Sequence, residues 1–120
     1  NNSNSGQSYS AQQGSYTKIG RQVTCRFNIN LSAEGTFGAN YIKLGGFPFN
    51  IESTPYTVHL GNLYFVNMGA NFISVGLQAH EGVNQAYLWG KKAASDDREY
   101  VGVTDLTDNT QLTGTFTYFV

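Results

Sequence analysis

From residue 16 onward apolar side chains recur at every second position. The clearest stretch is residues 21–31, where Val23, Cys25, Phe27, Ile29 and Leu31 alternate with Gln22, Thr24, Arg26, Asn28 and Asn30. A period of two puts each set on one side of an extended chain, so the spacing predicts a half-buried strand. Residues 32–40, with two glycines and an Asn, read as a turn region leading to a short strand over 41–44, which Gly45 and Gly46 end. Further strands are predicted over 56–60, 63–68, 72–79, 84–89 and 112–120, with a weaker one over 100–103. Gly61, Gly69, Ala70 and Asn71, and then Glu81 and Gly82, punctuate them. Seven or eight strands spaced near ten residues apart, with no helix of normal length, predict an all-β antiparallel β-sandwich or jelly-roll. Alternation places Cys25, Phe27, Ile29, Ile73, Val75, Leu77 and Leu112 inside it.

Some strands are apolar on both sides. Tyr64, Val66 and Met68 oppose Leu63 and Phe65, and Tyr87 and Trp89 oppose Ala86 and Leu88. A small sandwich needs one apolar side per strand, so the second predicts a subunit interface. Residues 1–15, NNSNSGQSYSAQQGS, offer only Tyr9 and Ala11 as apolar groups. So little buried surface does not offset ordering entropy, and the segment reads as a flexible linker from an upstream shaft or domain, with residues 16–120 as the domain proper. A start without Met, in linker-like sequence, fits the C-terminal piece of a longer protein.

Composition narrows the function. The 120 residues are enough for one domain, and a charged fraction of 12% is about half the usual share. A net charge of −1 gives no counterion-release drive toward nucleic acid, and no polybasic or long apolar run favours membrane binding or insertion. The single cysteine, Cys25, has no internal disulfide partner, so stability rests on the apolar core or on oligomerisation.

Catalytic chemistry is poorly supplied. There is no G-x-S-x-G elbow, and Cys25 shares a strand side with Val23 and Phe27, which makes it a core residue rather than a nucleophile. His59 and His80 have no Cys or carboxylate at metal-ligand spacing. Glu34 and Glu52 are the one carboxylate pair in turn-rich sequence outside the charged cluster that a glycosidase would use. Asp105 and Asp108 lack calcium-loop spacing and read as turn residues. The expectation is a protein with no enzyme activity, cofactor or metal.

Binding chemistry is better represented. A sugar ring stacks its C–H face on an aromatic ring and pairs its hydroxyls with short polar and charged groups. Trp89 and the segment up to Tyr100 combine both, with Lys91, Lys92, Asp96, Asp97, Arg98 and Glu99 following the ring. Tyr87, Trp89, Lys91, Asp96, Asp97, Arg98 and Tyr100 are therefore the candidate glycan-binding residues. The bland alternatives are a solvated loop that keeps a low-charge protein soluble and a Trp89 in the core.

The order of three motifs adds a resemblance. These are G-S-Y-T-K-I-G-x-x-V at residues 14–23, L-G-G-F-P-F at 44–49, and D-L-T-D-N-T-x-L-x-G-x-x-x-Y at 105–118. Together they resemble the C-terminal domain of many bacteriophage tail fibre and tailspike proteins, over residues 14–120. The family's Gly-Leu-Pro-Phe corner stands here as Gly46-Phe47-Pro48-Phe49. The resemblance implies a homotrimeric β-sandwich on a virion tail appendage, made in the host cytoplasm. Its role would be host attachment through a bacterial surface polysaccharide or lipopolysaccharide, trimer assembly, or both. A purely structural trimerisation cap is the alternative, and an unrelated monomeric lectin-like or capsid-decoration domain is a third reading.

Overall fold

A computed structural model describes residues 5–38, 40–53, 60–69 and 71–120. In chain order they form β1 (Ser8–Ile19), β2 (Gln22–Ala33), β3 (Lys43–Gly45), β4 (Leu60–Val66), β5 (Phe72–His80), β6 (Gln85–Lys92), β7 (Arg98–Tyr100), a 3-10 turn (Val103–Asp105) and β8 (Gln111–Phe119). All the strand pairings are antiparallel, and the described residues contain no α-helix. The fold is all-β and sandwich-like, as alternation predicts.

Two sheets share one strand. In the first, β1, β2, β8 and residues 63–66 of β4 lie side by side; in the second, residues 60–62 of β4 pair with β5, and β5 pairs with β6. The strands β3 and β7 then lie end to end along the far edge of β6. The handover in β4 falls at Gly61, where a Cβ would stand 2.9 Å from the Phe116 ring and 3.2 Å from the Thr115 carbonyl oxygen. Only a residue without a side chain lets the strand pass that close to β8. Between the sheets, Val23, Phe116 and Tyr118 join Leu77, Ala86, Leu88 and Val101 in one cluster, each at most 1% exposed. Phe47 stacks on Phe116 at 5.3 Å between ring centroids. Each fully buried Val, Leu or Phe side chain of this cluster contributes about 1.5–3 kcal/mol of transfer free energy.

Cys25, Phe27, Val75, Leu77 and Leu112 are buried as expected, and Ile29 is half-buried against the same cluster. Ile73 is not inside; it is 60% exposed. The cause is a bulge, for Phe72 pairs with Lys92 and Ser74 with Lys91, leaving Ile73 as the extra residue. The extra residue shifts the phase of β5, so Phe72 rather than Ile73 takes the core position.

The second correction concerns the polar N-terminal segment. From Ser8 it is not a linker but β1, paired with β2 from Ile19 opposite Gln22 to Ser8 opposite Ala33, and a bridge joins Ser5 to Thr36. Nearly all of β1 is exposed, so its place comes from the backbone ladder and the turn rather than from buried side chains. The turn is the two-residue Gly20-Arg21 pair, with Gly20 at φ 59°, the left-handed value that a tight hairpin of this kind needs at its first central position. Tyr16 adds an edge-on contact with Phe49 at 5.7 Å. Elsewhere, the strand predicted over 56–60 lies outside the described residues except for Leu60. The weak one over 100–103 divides between the end of β7 and the 3-10 turn.

Candidate functional site

Alternation along β6 is strict. Ala86, Leu88 and Gly90 are buried under the sheet, so Gln85, Tyr87, Trp89 and Lys91 face outward. Register decides what stands beside them. Tyr87 lies between Gln78 of β5 and Lys43 of β3, Trp89 between Gly76 and Tyr100, and Lys91 between Ser74 and Arg98. Residues paired across strands share a side, so Lys43, Arg98 and Tyr100 join the outer face of the second sheet.

A three-way backbone junction fixes the centre of this face. The Ile42 N–H donates to the Val101 carbonyl at 2.9 Å, the Val101 N–H to Leu88 at 2.9 Å, and the Leu88 N–H to Ile42 at 3.1 Å. The side chains of Ile42, Leu88 and Val101 are buried, and the flanking residues turn their rings outward. Tyr100 is the hub: its centroid is 4.0 Å from Trp89, 5.2 Å from Tyr87 and 4.6 Å from Tyr41. Tyr41 is 51% exposed. At one end the row continues to His80, 4.9 Å from Tyr87, and the Lys43 ammonium lies 4.7 Å from the Tyr87 ring centre. Trp89 Nε1 and His80 Nδ1 are covered and make no hydrogen bond within the described chain. Such groups ordinarily find a partner.

Of the seven candidate residues, Tyr87, Trp89 and Tyr100 are brought into ring contact, and Lys91 and Arg98 extend the same face by register. Asp96 and Asp97 stand at the exposed tip of the β6–β7 hairpin, where the Asp97 N–H donates to Ser95 Oγ and the Lys91 ammonium to the Ser95 carbonyl. They are not part of the aromatic row. Lys92 and Glu99 face the other way, joined at 3.0 Å, with Asp105 3.4 Å from the same ammonium. The Glu99 carboxylate beside it holds the Lys92 pKa above its ordinary value.

Tyr41, Lys43 and His80 were missing from the sequence-based set. The alternation of Tyr41 and Lys43 with Ile42 and Leu44 shows that they share a side, but the strand that side adjoins is set by pairing 44 residues away, between Lys43 and Tyr87.

The other sequence candidates take structural positions. Glu52 is ion-paired with Arg21 just before β2, while Glu34 follows β2. They are separated by the run of a 12-residue strand, roughly 40 Å at about 3.3 Å per residue, against the 5–10 Å of a glycosidase pair. Asp105 accepts the Gly102 N–H and Asp108 the Glu34 N–H. Burial pushes the Cys25 thiol pKa up, and Tyr118 is beside it. His59 lies outside the described residues. Away from the aromatic face, a groove of about 460 Å³ runs between β1 and residues 44–48, over Cys25, Phe27 and Ile29. Compared with known proteins, the chain matches no family model, no curated protein and no solved structure.

Proposed function

We propose that the chain is a non-catalytic receptor-binding domain of a bacteriophage tail fibre or tailspike, holding a bacterial surface glycan on the outer face of its second sheet. The observation that carries this reading is the ring row centred on Tyr100, with Trp89, Tyr87 and Tyr41 packed around it and cations at its ends. Aromatic faces beside positioned polar groups are what a polyhydroxylated ring requires. The motif order at residues 14–23, 44–49 and 105–118 supplies the phage part of the reading. In it the domain is the jelly-roll-type end of a homotrimer, and threefold repetition of a weak site raises avidity by about 10²–10⁴.

A purely structural trimerisation cap is the second reading. It draws on Ile19, Tyr64 and Ile73, which are 77%, 68% and 60% exposed and would gain cover from neighbouring subunits.

The test is adsorption of the folded protein to bacterial cells and to a glycan array, beside light scattering. The first reading expects roughly three chain masses and saturable binding that Trp89→Ala weakens. A trimer that binds no cell or glycan favours the cap, and a stable monomer at micromolar concentration rules out both trimeric readings.

A further inference from the structure

The charges of the second sheet are sorted by side. Its outer face carries Lys43, Lys91 and Arg98 by register, and the strand positions around them are Ser74, Gly76, Gln78, His80 and Gln85, none of them acidic. Glu99 points to the opposite side, where it and Asp105 neutralise Lys92. The remaining carboxylates at the ends, Glu81 and the pair Asp96 and Asp97, lie in turns rather than on strand positions of the face. Lys91 is engaged by the Ser95 carbonyl. Lys43 and Arg98 make no ion pair among the described residues; Lys43 rests over Tyr87 and Arg98 is exposed.

These two cations, without ion pairs among the described residues, bracket the ring row. Tyr87, beside Lys43, and Lys91, beside Arg98, are four residues apart on β6, roughly 14 Å at about 3.4 Å per residue. A neutral glycan would use the rings and leave both cations without partners. An anionic one uses all three, and hydrogen bonds from cation to anion are about twice as strong as neutral ones.

We propose that the ligand of this face is an anionic glycan, whose carboxylate or phosphate groups are held by Lys43 and Arg98 while its sugar rings stack on Tyr100 and Trp89. This rests on the glycan-binding reading above and specifies its ligand class. Carboxylate from an acidic sugar and phosphate on a sugar ring present the same chemistry to the two cations.

The experiment is a binding titration of the full 120-residue chain against an array of bacterial polysaccharides, half neutral and half acidic. Each bound acidic glycan is tested again after carboxyl reduction and, separately, after hydrofluoric acid dephosphorylation. The expected result is binding confined to anionic glycans, abolished by one of the two treatments, which names the anion. Lys43→Gln and Arg98→Gln should each weaken it about tenfold with an unchanged thermal midpoint, and raising the salt should weaken wild-type binding. Equal binding to neutral glycans, or unchanged affinity in both folded variants, overturns the anionic assignment and leaves the glycan face standing. No binding to any glycan overturns both.

Discussion

The outer faces of the two sheets are built from the same period of two and end with opposite chemistry. On the first sheet, Thr24, Arg26 and Asn28 of β2 stand opposite Thr117, Thr115 and Thr113 of β8, with Thr17, Ser15 and Gln13 of β1 on the other side. This polar face closes much of its bonding internally. Thr24 and Thr117 pair hydroxyls at 3.1 Å, and the Thr113 hydroxyl donates to Asn28 Oδ1 at 2.9 Å. The same face also carries Tyr64, 68% exposed opposite Thr113, and Arg26, which makes no ion pair among the described residues. On the second sheet the corresponding positions hold Tyr87, Trp89, Tyr100 and Lys43, whose rings meet one another, while among the described residues Lys43 and Arg98 make no ion pair and the Trp89 indole N–H no hydrogen bond. What the second sheet adds is a group of rings in mutual contact beside cations, and that clustering is the ground on which it is proposed as the binding side.

The largest effect should come from removing the hub of the aromatic face. Tyr100→Ala should cut glycan or cell binding by about 5- to 150-fold, the loss of stacking being worth ~1–3 kcal/mol. The double variant Thr24→Val, Thr117→Val on the other face should leave binding unchanged. Equal losses from both faces would erase the contrast. Next comes the strand that ties the faces together. Gly61→Ala forces a methyl against Phe116 and the Thr115 carbonyl, and should destabilise the fold by about 1–3 kcal/mol, read from the denaturant midpoint. A neutral result would mean that β4 crosses between the sheets with room to spare.

The core under the first sheet gives a pH signature. Burial pushes the Tyr118 hydroxyl pKa up to about 12, and it donates to the Phe49 carbonyl at 3.1 Å. In the unfolded chain it ionises near pH 10. A raised pKa in the folded state gives stability that is complete below the unfolded value and is lost as pH climbs through the folded one. Chemical denaturation should therefore show a decline between about pH 10 and 12. Cys25, raised in the same way, starts the loss from its ordinary value of 9.0. Tyr118→Phe should flatten the upper part of the decline, and an unaltered slope would place the alkaline transition elsewhere. The smallest effect is expected from the threonine pair itself. Replacing both hydroxyls with methyl groups should change stability by no more than about 0.5 kcal/mol, because no polar group is left without its partner.

Legibility followed the range of the interactions. The β2 pattern could be read because each residue carries its own side preference, and Val23, Cys25 and Phe27 are buried as alternation requires. β1 could not, because the backbone pairing that holds it comes from β2 and is invisible in a run of Ser, Gln and Gly. The bulge at Ile73 is equally silent, since a single inserted residue leaves the apolar alternation intact on paper while reversing the sides. For the proposed binding face, Tyr87, Trp89 and Tyr100 could be singled out because they flank one charged loop. Lys43 reaches the same face through β3 and Tyr41 through an isolated bridge to Gly102, and no local pattern announces either pairing.

Trp89 is the chain's single tryptophan, so its fluorescence reports from the proposed site alone. The most direct measurement is Trp emission and acrylamide quenching during titration with a glycan that the array shows to be bound. A ligand on the aromatic face should shift the emission and reduce quenching with the same saturation curve as binding itself. A glycan that saturates the protein while emission and quenching stay unchanged would place the site away from Trp89 and contradict the assignment of the second sheet as the binding side.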